Sequence, residues 1–457
     1  MKLRLFGLLL TAFIVPAILA AQDARTVTEP VIPPVCATLD AQLAATRHTL
    51  APADESKLDT ARIQHAIDHC GKGSGVLLST DDANNAFLSS PLDLRAGVTL
   101  IVGKGVTLFA SRDPALYAVS PGSCGIVSHG HGPRGCKPLI SVDHAPNAAV
   151  MGDGTIDGRG GEKMLGSPYS WWDLAEQARA GGAQQCFRLI VAEHSDNFTL
   201  YRITLKNSPN FHVVWGHGDG FTVWGLKIDT PQRLARNTDG VDPGPDARDI
   251  TITHSYIRTG DDNVAIKGGL PGGVTNVTVS HDHFYWGHGM SIGSETDGGV
   301  SKIRVFDLSL DGPDNGIRIK SNGSRGGLTQ NVDYDNVCIR NSPNPITLDT
   351  SYSAAGTLKG NSPPTMRDVV LHNVRVSGGG RFTFNGYDHT HRIGVELNGV
   401  LIADDAHYTY EVNHADIVLG PDPTNLQLPA GNDSTITGKP SNGTPASCSA
   451  MFVPFPD

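Results

Sequence analysis

Asp249-Ile-Thr-Ile and, 27 positions later, Asn276-Val-Thr-Val show the pattern that decides the fold. In both stretches a residue that favours turns precedes an alternation of apolar and polar residues, which is typical of a β-strand with one buried face. Stretches of this kind begin at Asn197, Gly220, Asp249, Asn276, Lys302 and Asn331. Their first apolar residues are spaced 23, 29, 27, 26 and 29 positions apart. A repeat of this length predicts one solenoid coil per unit.

Two all-β architectures fit short strands separated by turn residues. A β-sandwich and the coil of a β-helix both place turns at intervals of roughly 8–12 residues. A sandwich does not need the longer repeat described above, whereas a solenoid does. The sequence therefore favours a right-handed parallel β-helix with neighbouring coils about 4.8 Å apart. Residues 59–70, DTARIQHAIDHC, carry apolar residues on one helical face and predict a short N-terminal helix that caps the open end of the core.

The two ends of the chain differ from this repeat. Residues 1–21 are predicted to be a secretory signal peptide, because Lys2 and Arg4 precede an apolar run that ends in small residues. A membrane anchor is disfavoured, since a spanning helix needs about 20 apolar residues. We therefore expect a secreted, extracellular protein without membrane association after cleavage. We assign residues 22–420 to the β-helix and residues 421–457, rich in Pro, Ser and Gly, to a loosely packed C-terminal tail.

The charge balance limits the partners of this chain. Its 457 residues include 36 Lys and Arg against 46 Asp and Glu, a net charge of −10. Such a chain is a poor nucleic-acid binder, and no nucleic-acid partner is predicted. An anionic polymer is also an unsuitable ligand unless positive groups are concentrated in one cleft. We expect a monomer.

The seven cysteines suit an exported chain, because export permits disulfide bonds. Local spacing favours the pairs Cys36–Cys70 and Cys124–Cys136. A third pairing, Cys338 with Cys448, would leave Cys186 free. No Cys-x-x-Cys spacing occurs, so neither a zinc site nor a redox site is predicted.

Two segments interrupt the repeat. Residues 159–186 form an excursion from one coil, in which Trp171 and Trp172 precede a helical turn. We expect these tryptophans to pack the excursion onto the solenoid rather than to stack on a sugar. Residues 128–132, SHGHG, are interpreted as a loop closed by the Cys124–Cys136 bond in preference to a metal site.

Asp261-Asp262 is the sharpest local signal for chemistry. Neighbouring residues of a strand point to opposite faces, so both carboxylates reach one cleft only if the chain bends, and Gly260 gives the flexibility for a bend. Asp239, one coil earlier, brings a third carboxylate close. Crowded carboxylates push one pKa upward, which leaves a protonated acid beside ionised bases. Glycoside hydrolysis needs that asymmetry. The alternative for each motif alone is ordinary turn chemistry.

His288, between two glycines, falls close to the phase of the acidic pair. It follows Val277 at nearly the same distance along the chain as Asp262 follows Ile250. These near-equal offsets place both side chains on about the same edge of the solenoid. A lone histidine is more commonly structural, so a functional role for His288 is favoured by its phase in the repeat rather than by its residue type.

Arg318 and Lys320 flank Ile319, so both face one side of a strand while Ile319 faces the core. Such a pair fits the recognition of a carboxylate, for which arginine offers a bidentate fork. A solvated surface pair is the alternative. Tyr352 follows Lys320 at an interval that is again close to one repeat.

Together these motifs resemble the signature of glycoside hydrolase family 28, the polygalacturonases. The motifs are NTDG at 237–240, GDDN at 260–263, GHG at 287–289, RIK at 318–320 and the downstream Tyr352. The longer strings NTDGVDPG, TGDDNVAIK, GHGMSIGSE and RIKS are similar to bacterial secreted members in particular. The resemblance covers nearly the whole mature chain and implies a right-handed β-helix with an open cleft.

The resemblance also implies roles for the catalytic residues. Asp261 matches the general acid of the family. Asp239 and Asp262 match the pair that activates water. His288 matches the residue that tunes the acid and touches substrate.

The substrate-binding residues follow from the same resemblance. Arg318 and Lys320 match the pair that binds a galacturonate carboxylate, Tyr352 matches a tyrosine that contacts substrate, and Asn237 lies in the same motif as Asp239. Neither a metal nor another cofactor is expected.

The sequence thus predicts a secreted hydrolase of α-1,4-galacturonosyl links in de-esterified pectin, with inversion of configuration and with endo action favoured. An exo-acting enzyme, or one for rhamnogalacturonan or xylogalacturonan, is the alternative within the family. A calcium-dependent pectate lyase would need a calcium cluster and an arginine base. A non-catalytic β-helix adhesin would not need a buried acid.

Overall fold

A computed structural model describes residues 22–81, 83–129, 135–353 and 361–456. The predicted signal peptide at residues 1–21 lies outside the described residues, and so do positions 130–132 of the SHGHG stretch. Within the described ranges the chain coils through three sets of parallel strands, which we name ladders A, B and C. Each strand pairs in parallel with the equivalent strand one coil later. The predicted parallel β-helix is confirmed.

The ladders have the following strands. Ladder A contains Val35–Asp40, Ser74–Ser79, Val98–Val102, Ala149–Met151, Phe198–Tyr201, Gly218–Trp224, Ala247–Thr253, Val274–Ser280, Ala415–Leu419 and Thr435–Thr437. Ladder B contains Ala86–Ser89, Thr107–Ala110, Thr155–Asp157, Thr204–Lys206, Lys227–Asp229, Tyr256–Arg258 and His283–Phe284. Long strands that bend from ladder A into ladder B are Val300–Asp311, Leu328–Arg340, Thr365–Ser377 and Ile393–Ile402.

The third set, ladder C, contains the strands beside which the candidate site residues lie. Its strands are Leu92–Asp93, Ile140–Asp143, Ile190–Glu193, Val213–Gly216, Val241–Pro243, Val264–Ile266, Met290–Ile292, Asn315–Lys320, Asn344–Asp349, Gly380–Asn385 and Tyr408–Asn413. A separate antiparallel pair joins Ile126–Ser128 to Ala183–Gln185.

The repeat found in the sequence is one coil of the structure. Register aligns Phe221 with Ile250, Ile250 with Val277 and Val277 with Ile303, and all four side chains are fully buried. The turn residue before each of them has a positive φ, between 57° and 89° over these four coils. Glycine, asparagine and aspartate tolerate this left-handed conformation best, which explains why the turn residues recur at this phase.

Short helices lie near the N-terminal end of the solenoid, in a connection and in the excursion. The α-helices are Thr60–Asp68 and Trp171–Gln177, and the 3₁₀ helices are Pro52–Asp54, Pro114–Leu116 and Ala178–Ala180. The first α-helix buries Ile63, Ala66 and Ile67 against the core, as expected of a cap. In the excursion Trp171 is fully buried, and the Trp172 indole donates to the carbonyl of Ser208 at 2.9 Å. The tryptophans therefore anchor the excursion to the solenoid.

The segment after residue 420 is attached to the solenoid at several points, although most of its residues are exposed. Cys448 forms a disulfide with Cys338, and the Tyr285 hydroxyl donates to the carbonyl of Val453 at 3.0 Å. The guanidinium of Arg258 lies 3.9 Å from the centre of the Phe455 ring. A few apolar and aromatic residues thus attach this segment to the solenoid, although its overall composition is polar and rich in proline.

The structure also contains the disulfides Cys36–Cys70 and Cys124–Cys136, the two local pairs favoured by spacing. Cys186 is a buried free thiol. Across the described ranges, no helix has both the length and the apolar character that crossing a membrane requires.

Candidate active site

Charged groups from four consecutive coils meet along ladder C. The strands are, in order, Val241–Pro243, Val264–Ile266, Met290–Ile292 and Asn315–Lys320. The first three strands are preceded by Asp239, by Asp261 and Asp262, and by His288, respectively. Arg318 and Lys320 belong to the fourth strand. Because paired strands lie about 4.8 Å apart, residues from distant parts of the sequence become neighbours.

A tight bend brings the adjacent carboxylates to one side. The Asp262 amide donates to the Asp261 carboxylate at 2.9 Å, and the Thr259 hydroxyl donates to the Asp261 carbonyl at 2.6 Å. Asn263 donates to the carbonyls of Ile257 and Trp286, which fixes the exit of the bend. Gly260 is needed for close approach, since a Cβ there would collide with the carbonyl oxygen of Ala235. The structure thus shows a steric requirement for Gly260, whereas the sequence suggested that Gly260 gives the flexibility for the bend.

Asp262 is held by cations and a hydroxyl. Its Oδ2 accepts from the Lys320 ammonium at 2.6 Å, and its Oδ1 accepts from Ser291 at 2.7 Å and from Arg318 at 3.4 Å. Burial raises the pKa of Asp262, but the positive charge of Lys320 outweighs it, and the pKa lies below its usual value. Asp262 is therefore ionised at neutral pH.

Asp261 and His288 form a charged pair. His288 Nδ1 lies 3.0 Å from Asp261 Oδ1, and His288 Nε2 lies 3.4 Å from the Asp314 carboxylate. Burial lowers the pKa of His288, but the bonds to these two carboxylates outweigh it and raise the pKa to about 10. Burial raises the pKa of Asp261, but the hydrogen bond and charge of His288 hold it far below its usual range. In the free site the proton therefore resides on the imidazole.

The surroundings of Asp239 raise its pKa, whereas those of Asp261 and Asp262 lower theirs. Burial, together with the charges of Asp242, Asp261 and Asp262, raises its pKa well above the usual value, and Lys267 opposes this rise. The Lys267 ammonium lies 3.0 Å from Asp239 Oδ2. The predicted crowding of carboxylates is present, but the raised pKa belongs to Asp239 rather than to Asp261.

The remaining candidates lie at the same cleft. The Tyr352 ring centre is 5.1 Å from the Arg318 guanidinium and 5.1 Å from the Lys320 ammonium. The Asn237 amide donates to Asp261 at 3.3 Å, and its side-chain oxygen accepts from Gln184 at 2.9 Å.

Cavities flank the carboxylates on both sides along ladder C. One, of about 340 Å³, is lined by Gln184, Arg188, Phe211 and Asn237. The other, of about 380 Å³, is lined by residues of the later coils, namely Asn315, Arg318, Thr347, Asp349, Arg381, Asn385 and Glu411. Open space therefore lies on both sides of the carboxylates along ladder C.

Asp261, Asp262 and His288 offer ligand atoms within 4.8 Å of one another, a spacing that a metal ion can use. Both Asp262 oxygens, however, already accept from protein donors, Lys320 and Ser291, and a protonated His288 offers no lone pair to a metal ion. The adjacent Arg318 and Lys320 also repel a cation. The donor set fits an acid and base pair better than a metal centre.

Sequence reasoning missed three residues that contact the candidate carboxylates or each other, namely Asp242, Lys267 and Ser291. Lys267 contacts Asp239 and Asp242, and Ser291 contacts Asp262. Lys267 and Asp242 lie inside the strings TGDDNVAIK and NTDGVDPG, and Ser291 occupies the ladder position beside Arg318. The repeat phase of Arg318 was the signal that could have identified Ser291.

Comparisons with known proteins agree with this geometry. The profile of the family "Glycosyl hydrolases family 28" matches residues 95–417. The chain is 41% identical over 399 residues to an endo-polygalacturonase of Pectobacterium carotovorum subsp. carotovorum, covering 87% of this chain and 93% of that protein. It is 37% identical over 497 residues to a polygalacturonase of Ralstonia nicotianae, covering 94% of this chain and 92% of the relative.

A solved structure shows the same similarity. The polygalacturonase from Erwinia carotovora ssp. carotovora superposes with a TM-score of 0.79 at 40% identity, over 87% of this chain and 100% of that one. The chain belongs to glycoside hydrolase family 28.

Proposed function

We propose that the protein is a secreted polygalacturonase that hydrolyses α-1,4-galacturonosyl links in de-esterified pectin by endo attack, with inversion of configuration. The observation that carries this proposal is the group of buried Asp239 and Asp262 and partly buried Asp261 beside two cations, Arg318 and Lys320. The relatives named above are themselves polygalacturonases or endo-polygalacturonases. Disulfide bonds in the structure support export after removal of residues 1–21.

In the proposed mechanism Asp261 protonates the glycosidic oxygen. In the free site the proton is on His288, 3.0 Å away, so its transfer to Asp261 gives a carboxylic acid and a neutral imidazole. A substrate that excludes water favours this transfer, because burial disfavours a separated pair of charges. His288 thus stores the proton that Asp261 donates.

Water is activated from the neighbouring coils. Asp262, ionised beside Lys320, and Asp239 hold a water molecule that attacks the anomeric carbon, and one of the two accepts its proton. Attack by water from the side opposite the leaving oxygen inverts the anomeric centre. The bond between the anomeric carbon and the leaving oxygen breaks as that oxygen takes the proton of Asp261.

Recognition of galacturonate rests on charge. Lys320 and Arg318 are oriented by Asp262, and Arg318 retains guanidinium N–H groups that can bind a sugar carboxylate in a bidentate manner. The Tyr352 ring beside both cations closes this side of the site. A methyl ester removes the negative charge and therefore weakens binding.

Endo action is supported by the cavities on both sides of the carboxylates. The test is product sizing on polygalacturonate, with fully methyl-esterified pectin as the control substrate and with a chelator arm. The proposal predicts mixed oligogalacturonates as early products, new reducing ends, little activity on the ester, and no effect of chelator. Monogalacturonate alone as the early product would replace endo by exo action. Loss of activity in chelator, with unsaturated products, would establish a lyase instead.

A further inference from the structure

Lys267 lies between two buried carboxylates at the floor of the cleft. It follows the ladder C strand Val264–Ile266, and its ammonium is 3.0 Å from Asp239 Oδ2 and 3.3 Å from Asp242 Oδ2. The Lys267 side chain is 21% exposed, whereas the two aspartate side chains are 3% and 2% exposed. The lysine is therefore more accessible than the two carboxylates that it contacts.

The position of Lys267 is fixed by its surroundings. Its ammonium lies 4.7 Å from the centre of the Phe211 ring, and its backbone amide donates to the carbonyl of Pro243 at 2.8 Å. The Arg188 guanidinium lies 4.6 Å from the same ring. An ammonium held by an aromatic ring and two carboxylates has little freedom to move to another partner.

The contacts of Asp239 are asymmetric. Oδ2 accepts from Lys267, whereas buried Oδ1 has no hydrogen-bond partner within the described part of the chain. A buried acceptor without a partner is costly, so Oδ1 is suited to a donor that arrives with the substrate. Water bound for attack is such a donor.

We propose that Lys267 is a positioning residue for hydrolysis, which holds Asp239 through Oδ2 and leaves Oδ1 as the acceptor for the proton of the attacking water. This inference rests on the proposed function, in which Asp239 and Asp262 activate water. Lys267 acts through Asp239 and is not assigned a contact with the reacting atoms.

The charges around the pair support a pH-dependent role. Asp239, Asp242, Glu295 and Asp262 all raise the pKa of Lys267, more than burial lowers it, so the lysine stays charged. Burial and the neighbouring aspartates raise the pKa of Asp239, and Lys267 is the main opposing group.

Asp242 competes for the same ammonium. Its pKa is raised to about 6 by burial and by the charge of Asp262, although Lys267 and Arg188 oppose the rise. Without Lys267 both carboxyls would remain protonated to higher pH, and a protonated Asp239 cannot act as a base.

The experiment is a pair of pH–rate profiles for Lys267→Met, which removes the charge and retains most of the side-chain length, and for Lys267→Arg. Lys206→Met is the matched control, because Lys206 pairs with Asp229 at 3.1 Å with a similarly exposed side chain (28%), on ladder B away from the cleft. Far-UV circular dichroism and thermal midpoints establish that each variant is folded.

For Lys267→Met we expect the acid limb of kcat/KM to move up by about one pH unit or more, which is about a tenfold loss on that limb. KM should change by less than about threefold, since substrate contacts remain. Lys267→Arg should restore the wild-type limb, and Lys206→Met should overlay the wild type.

An equal loss at every pH, or a rise in KM with unchanged kcat, would overturn the positioning role. These outcomes are distinct from failure of the proposed function itself, in which the wild-type enzyme would release no reducing ends from polygalacturonate at any pH.

Discussion

Replacing Lys320 by methionine should destabilise the protein as well as impair catalysis. From the sequence alone Lys320 is a substrate-binding residue, whose removal would mainly raise KM. In the structure its ammonium is 2.6 Å from Asp262 Oδ2, and the two side chains are only 6% and 1% exposed. Removing one partner of a buried ion pair leaves an uncompensated charge, which costs about 3–5 kcal/mol.

Asp262 can reduce this cost by taking up a proton. A penalty of about 3 kcal/mol corresponds to a pKa higher by about two units, since one unit equals about 1.4 kcal/mol. In the wild type the pKa of Asp262 is lowered, so the pair stabilises the fold above the unfolded-state pKa of about 3.9 and this contribution is lost as pH falls through the folded-state pKa. The effect of Lys320→Met should therefore be full at pH 7 and small near pH 3.

The assay is urea unfolding at several pH values, with kcat and KM measured alongside. Lys57→Met is the control, because Lys57 pairs with Asp54 at a similar 2.7 Å but is 62% exposed. Surface pairs contribute about 0–1 kcal/mol, so the control should stay within that range. We expect Lys320→Met to lose at least about 3 kcal/mol at pH 7 and at least tenfold in kcat. If Lys320→Met matched Lys57→Met in stability and changed only KM, the reasoning from burial would be refuted.

Two other substitutions address the acid and the core. Asp261→Asn removes the proton donor and should lower kcat by about 10²-fold or more. KM should change little, because Arg318 and Lys320 still bind the substrate carboxylate. Steady-state kinetics on polygalacturonate measures both parameters, and a loss confined to KM would contradict this prediction. Burial raises the pKa of Asp282 to about 8, so this carboxyl stabilises the fold when protonated and its contribution is lost as pH rises from the unfolded-state value through 8. Asp282→Asn should remove a decline of up to about 1.4 kcal/mol per pH unit from the urea-unfolding profile between those limits, and an unchanged slope would disprove it.

The fold was predictable because each central coil repeats the same local pattern, a turn residue followed by alternating apolar and polar residues. In each ladder A strand of the central coils a residue with positive φ comes directly before a buried apolar residue, and Asn, Asp or Gly occupies most of these positions, Lys302 being an exception. The site followed from the same period, since motif spacings near one coil place their side chains on one ladder. The pairing of Asp261 with His288 at 3.0 Å is the clearest case.

What the sequence did not reveal depends on burial and on close approach. The role of Gly260 rests on the proximity of the Ala235 carbonyl, which comes from another part of the chain. The pKa difference between Asp239 and Asp261 arises from burial among other carboxylates at Asp239 and from the contact with His288 at Asp261, and only the three-dimensional register defines these contacts. The packing of the segment after residue 420 rests on a few side chains, such as Phe455, within a polar composition.

The central claim is that carboxylates from neighbouring coils direct water, without a covalent intermediate, onto an α-linked galacturonate. Proton NMR of the anomeric region during the first minutes of polygalacturonate hydrolysis tests it most directly. Inversion predicts that the β-anomer of the new reducing end appears first and that the α-anomer grows later by mutarotation. An initial α-anomer, or a glycosyl adduct trapped on Asp239, Asp261 or Asp262 and detected by mass spectrometry, would contradict the account.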